Sequence, residues 1–192
     1  MAAARPVRDS DLLDAIEALP HDGFSGTAWR VVREGRDPTA CARSGGRWDD
    51  GTFDVLYTSL AADGAIGEMY FHASRGQPVM PSRVRYHLHE LRVKIESCVR
   101  LVPIEVLASL GYNTGACGQM AYAEREQEYP RTQDIAEAAH FHGRQGLLVP
   151  SARSEHCNLI LLCEQAVPEA VERVRDHGPI DWDAWRKNPL GY

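Results

Sequence analysis

The sequence predicts one α+β domain, and three observations lead there. The chain has 192 residues, the size of a single ordinary domain. Segments of helical spacing coexist with short β-rich segments whose alternation suits an antiparallel sheet. No internal repeat, low-complexity run or linker divides them. A chain of this length buries roughly 70% of its unfolded surface, so stability requires no disulfide or metal, and any metal must be argued from chemistry. With 44% hydrophobic and 25% charged residues, the composition excludes disorder, collagen and coiled coil.

Taken in order, residues 9 to 19 set Leu12, Leu13, Ile16 and Leu19 at helical spacing, with Ser10 read as the cap and Pro20 as the stop. Residues 27 to 33, after Gly23 and Gly26, read as a strand from which Arg30 projects. Residues 35 to 51 form a polar loop around Gly45-Gly46-Arg47-Trp48, where paired glycines permit unusual backbone angles or close approach to a ligand. Residues 53 to 57 are a second strand. A helix follows over 61 to 73, with Ala62, Ile66, Met69 and Ala73 on its apolar stripe and Glu68 off it. Between 79 and 103, two strand pieces, 83 to 89 and 91 to 96, alternate well. Pro103 and Gly111 bracket a short helix over 104 to 110. A loop with a helical piece covers 111 to 128, Thr132 caps a helix running to 142, and Gly143 stops it. Residues 146 to 152 and 158 to 163 are the last two strands. The tail after Pro168 reads as one amphipathic helix plus Trp182 and Trp185, which dock back on the domain.

The charge balance, 21 basic against 27 acidic residues, gives −6 and opposes capture of a nucleic acid by the whole surface. Arginine dominates the basic set, lysine standing only at Lys94 and Lys187, and a guanidinium grips phosphate in a bidentate fork. The N-terminus lacks the apolar core of a secretory peptide, since Asp9, Ser10 and Asp11 stand where it would lie. The most apolar run, 158 to 163, falls short of the roughly 20 residues a bilayer requires. No membrane association is expected. The cysteines, Cys41, Cys98, Cys117, Cys157 and Cys163, form an odd set without a C-x-x-C pair, which suggests neither a disulfide framework nor a zinc knuckle and favours a reducing cytoplasm. His87 and His89 share a strand face while His140 and His142 diverge on a helix; lacking a third ligand at recognisable spacing, no metal site is assigned. Cys157 beside His156 reads as a small buried hydrophobe, because strand neighbours point to opposite faces.

No G-x-G-x-x-G stands between a strand and a helix, and the stretch 111 to 118 has neither the spacing nor the Lys-Ser/Thr of a P-loop. Polar residues instead recur in Trp29-Arg30, in Gly45-Gly46-Arg47-Trp48, in Leu56-Tyr57-Thr58-Ser59 with Glu68 eleven residues after Tyr57, and in Leu148-Val149-Pro150-Ser151-Ala152. In this order, with Ala65-Ile66-Gly67-Glu68, the Thr132-Gln133-Asp134-Ile135-Ala136 stretch and Asn158-Leu159-Ile160-Leu161, the sequence resembles the RES-domain toxins of bacterial toxin–antitoxin pairs. The resemblance covers 24 to 163; the ends outside it are read as short helical extensions of one RES-type domain spanning 1 to 192.

The resemblance implies an ADP-ribosyltransferase-like fold of mixed and antiparallel sheets flanked by helices. It implies Arg47, Glu68 and Ser151 as catalytic residues, with Arg30 and Tyr57 binding NAD, which is consumed as substrate rather than held as cofactor. The implied reaction cleaves the nicotinamide–ribose bond, with NAD phosphorolysis, for which inorganic phosphate is the co-substrate, the leading reading; hydrolysis by water and mono-ADP-ribosylation of a host protein stay open as alternatives. It also implies a DNA-binding antitoxin, and that partner is expected to cover the Arg47/Glu68 pocket; a homo-oligomer within that complex is left open. The chemistry agrees independently. Cleavage passes through an oxocarbenium-like ribose, which a carboxylate such as Glu68 stabilises, while Arg30 and Arg47 suit the pyrophosphate or incoming phosphate. Tyr57 offers a ring to the nicotinamide and Ser151 a hydroxyl to its carboxamide or to ribose. In the competing class, a non-catalytic binding module, Arg47, Glu68 and Ser151 are only an ion pair and a turn.

Overall fold

The computed structural model describes residues 8–73, 84–116, 125–152 and 154–187. Cys117 and the start of the strand expected from Arg83 lie outside them. Helix α1 (Ser10–Ala18) precedes strand β1 (Phe24–Arg33); β2 (Val55–Ser59) leads into α2 (Ala62–Ala73). Then come β3 (Tyr86–Ile95), β4 (Cys98–Arg100), α3 (Ile104–Ser109), a short 3-10 turn at Thr114–Ala116, and α4 (Arg125–Phe141). The chain closes with β5 (Gly146–Pro150), β6 (Cys157–Leu162), β7 (Val171–Pro179) and α5 (Trp182–Lys187). The seven strands form one sheet in the order β4-β5-β6-β2-β1-β3-β7. Only β4 and β5 are parallel; every other pair is antiparallel. The α+β class is as expected.

Side chains alternate across a strand, so an apolar run without polar breaks must bury both faces. That is the state of β2, β5 and β6. Val55, Leu147, Val149, Ile160 and Leu162 pack under α1 and α4 with Leu12, Ile16, Ile135 and Ala139. Their neighbours Leu56, Leu148, Leu159 and Leu161 go to the other face with Val93 and Ile95. Each such side chain contributes roughly 1.5–3 kcal/mol on burial, which makes the centre of the sheet the rigid floor of the molecule. A third cluster, Val31, Ala65, Ile66, Leu88 and Ile180, lies beneath α2.

Several elements depart from expectation. The cap of α1 is Asp9, whose carboxylate accepts from the Leu12 N–H, not Ser10. The two pieces expected between 83 and 96 are one ten-residue strand, β3, paired with β1 along its whole length from Phe24↔Ile95 to Arg33↔Tyr86. Helix α4 begins at Arg125 and passes through Pro130, so Thr132 is not its cap; this buried hydroxyl donates to the Tyr129 carbonyl at 2.9 Å. A proline removes one backbone donor but leaves the helix intact where tertiary packing outweighs that loss. The tail is not a single amphipathic helix. Among the described residues it holds a 3-10 turn at Pro168–Ala170, the edge strand β7 on β3 and one α-helix, α5, with Trp182 and Trp185 packed against Tyr70 of α2.

The cysteines also differ. Cys41 and Cys163 are disulfide-bonded across 122 residues of sequence, a pairing that spacing motifs do not reveal and that removes the cysteine argument for a reducing compartment. The bridge ties the loop after β1 to the end of β6, beside the Arg43 pairs with Asp54 and Glu164. Closing a long loop restricts the unfolded chain. Reduction, or Cys41→Ser, is expected to cost roughly 2–4 kcal/mol. The melting temperature, followed by calorimetry with and without reductant, should then fall by about 4–16 °C.

Candidate active site

The candidate site is built where α2 leaves β2 and lies across β1. Gly64, in the first turn of α2, lets the helix approach the sheet, for a Cβ there would collide with the Ser59 hydroxyl. One turn on, Glu68 faces a cavity of about 350 Å³. Its Oε1 accepts from the Ser151 hydroxyl at 2.9 Å and from the Asn158 amide at 3.1 Å. Ser151 follows β5, and Asn158 is the second residue of β6, paired with Ser59 of β2, so two neighbouring strands supply the donors that meet on one carboxylate oxygen of α2. Two donors on one oxygen set the carboxylate plane.

The opposite wall is the loop between β1 and β2. Its organiser is Asp49, wholly buried. The carboxylate accepts from the backbone N–H groups of Ser44 (2.9 Å), Gly45 (2.6 Å), Gly46 (3.1 Å) and Gly51 (3.2 Å). It also accepts from the hydroxyls of Ser44 at 2.7 Å and Tyr57 at 2.9 Å. Gly46 is required there, because a Cβ would lie 2.6 Å from the Tyr57 hydroxyl. Since these amides are spent on Asp49, the glycine pair shapes the loop and leaves anion binding to side chains.

From this loop Arg47 enters the cavity. Its Nη1 donates to Glu128 at 2.5 Å and to the Tyr112 hydroxyl at 2.9 Å, and the guanidinium lies 5.2 Å from the Tyr129 ring centroid. Glu128 is almost completely buried, so α4 holds the arginine in a fixed direction. A buried ion pair of this kind contributes less through net energy than through geometry.

Among the residues singled out from sequence, Arg30, Arg47, Tyr57 and Glu68 line the cavity, and Ser151 reaches it through Glu68 between lining residues Pro150 and Ala152. Arg30 donates through Nη1 to the carbonyls of Pro38 (2.9 Å) and Ala40 (2.8 Å). It therefore pins the loop to β1, and burial lowers its pKa to about 10. Tyr57 presents its ring to the cavity, but its hydroxyl donates to Asp49 and accepts from the Trp48 N–H; burial, then the Asp49 charge, hold its pKa well above the ordinary phenol value.

Sequence reasoning missed Asp49, Asn158 and Glu128. Asp49 carried a signal, a short acceptor just after a glycine turn. Asn158 was absorbed into an apolar strand. Glu128 meets Arg47 across 81 residues and left no local trace.

One cavity beside the seven-stranded sheet thus gathers Arg47, Glu68 and, through Glu68, Ser151. The RES domain model matches residues 27–183. The chain belongs to the RES-domain family. Its fold is also that of a chain in the crystal structure of the M. tuberculosis MbcT–MbcA toxin–antitoxin complex, with a TM-score of 0.74 at 21% identity, over 88% of this chain and 92% of that one. No curated protein matches the sequence.

Proposed function

We propose that the protein is the toxin of a toxin–antitoxin pair and cleaves the nicotinamide–ribose bond of NAD, passing ADP-ribose to inorganic phosphate. The observation that carries this reading is the Glu68 carboxylate, oriented by Ser151 and Asn158 in the same cavity as Arg47. As nicotinamide leaves, positive charge grows on the ribose, and a fixed carboxylate stabilises it without reorganising. Ser151 and Asn158 are positioning residues for Glu68. The ring of Tyr57 packs the nicotinamide, while Arg47 holds pyrophosphate or the incoming phosphate, since Arg30 already serves the loop. The cavity volume lies at the low end of the roughly 300–1,000 Å³ typical of small-molecule sites, which suits the nicotinamide-riboside end of the substrate.

Product analysis of NAD incubated with the antitoxin-free protein tests the acceptor. Phosphate-dependent release of nicotinamide with a phosphorylated ADP-ribose is the expected result. Phosphate-independent release with free ADP-ribose would replace phosphorolysis by hydrolysis, and labelling of one host protein would make the enzyme a transferase. The antitoxin, by this reading a DNA-binding partner that relieves an acidic chain of DNA contact, covers the Arg47/Glu68 cavity. Its addition should abolish turnover; undiminished turnover in the complex would contradict that placement. Among the described residues no helix is long and apolar enough to cross a membrane.

A further inference from the structure

A second cavity, of about 330 Å³, shares no lining residue with the first. It lies where edge strand β7 pairs with β3. Side chains alternate on β3, so Leu88 packs beneath α2 while His87 and His89 flank it on the other face. The β3–β7 register shifts between His87 and His89 and again between Glu90 and Leu91, and this irregularity sets Asp176 opposite His89. Bulges of this kind re-aim side chains. The two imidazoles stack nearly parallel at 23°, with centroids 6.2 Å apart.

Three donors converge there. His87 Nδ1 lies 3.1 Å from both carboxylate oxygens of Asp176, and one donor atom from each of His87, His89 and Asp176 lies within 4.8 Å of the other two. His89 is only 4% exposed, yet its Nδ1, like His87 Nε2, has no hydrogen-bond partner among the described residues. A buried polar nitrogen without a partner is costly, and a bound ion would satisfy it.

We propose that His87, His89 and Asp176 bind a divalent transition-metal ion of the zinc class, clamping β7 to β3 away from the NAD-cleaving site. Two imidazoles and one carboxylate suit zinc, cobalt or nickel better than magnesium or calcium, which prefer all-oxygen shells. Ligand bonds of about 2.0–2.2 Å require the donors to close in from their present separations. The surrounding charge permits a cation. Arg36 and Arg173 line the cavity but are balanced by Asp37 and Asp176, and Glu34 stands 3.7 Å from His87 Nε2. An anion would meet those same carboxylates.

Titration of the chelator-stripped full chain with Co²⁺ tests the site. A single equivalent should bind, with visible ligand-field bands and a rise in melting temperature. His87→Asn and Asp176→Asn, both toward the solvent side, should each weaken binding at least about 100-fold, as should the buried His89→Asn where it folds. His140→Gln, at a separate histidine–carboxylate pair, should leave binding unchanged. Affinity weaker than about 1 mM, affinity indifferent to His87 and Asp176, thiolate-to-cobalt absorption, or inorganic phosphate binding in place of the cation would each overturn the proposal. Cleavage of NAD plays no part in these readouts.

Discussion

Glu68→Gln is expected to lower kcat for nicotinamide release by roughly 10²–10³-fold, with the KM for NAD changed only a few-fold and the fold intact. The substitution keeps the shape of the side chain and an oxygen for the Ser151 hydroxyl, but removes the charge that the proposed reaction sets against an oxocarbenium-like ribose. An interaction made only in the transition state appears in kcat and in kcat/KM alike. A variant whose KM rises while kcat holds would make Glu68 a ribose-binding group without a part in bond cleavage. Steady-state kinetics at saturating NAD separates the two.

Asp49→Ala is expected to be the most disruptive single substitution in the cavity wall. It removes the acceptor of four backbone amides and two hydroxyls, and a buried donor left without a partner costs roughly 1–3 kcal/mol. Relaxation of the loop recovers part of this, leaving a loss of about 4 kcal/mol, in the upper tail of single substitutions. Thermal unfolding should then drop by about 8–16 °C. The protein that remains folded should also lose nicotinamide release, because Arg47 hangs from the same loop. A stability within about 1 kcal/mol of the parent would mean that Asp49 does not organise the loop.

The fold was legible where one residue type dictates one local outcome. The apolar runs 147 to 149 of β5 and 159 to 162 of β6 read as strands because no polar residue breaks them, and Gly143 stops α4 with a positive φ of 68°. It was illegible where tertiary packing overrules local preference. Pro130 conceals the first turns of α4, and β7, exposed along almost its whole length, has no amphipathic pattern because it is an edge strand held by backbone pairing to β3. The site divides the same way. Arg47, Glu68 and Ser151 were reached through ordered motifs, and the structure joins Glu68 to Ser151 directly. The groups that hold them, Asp49, Asn158 and Glu128, act across sheet and loop contacts that no spacing rule encodes.

The arginine excess has a similar explanation. Arg8, Arg43, Arg92 and Arg131 form surface ion pairs, which solvent and salt screen, and Arg30 secures backbone carbonyls. Of the arginines expected on the dinucleotide, Arg47 is the one held in the cavity by a buried carboxylate.

The proposal that this Arg–Glu–Ser cavity consumes NAD stands or falls on the time course of nicotinamide release from NAD by the purified, antitoxin-free chain. Release proportional to protein, stimulated by phosphate and lost in Glu68→Gln is the expected result. Intact NAD after prolonged incubation with folded protein and phosphate, or equal release by Glu68→Gln, would contradict it.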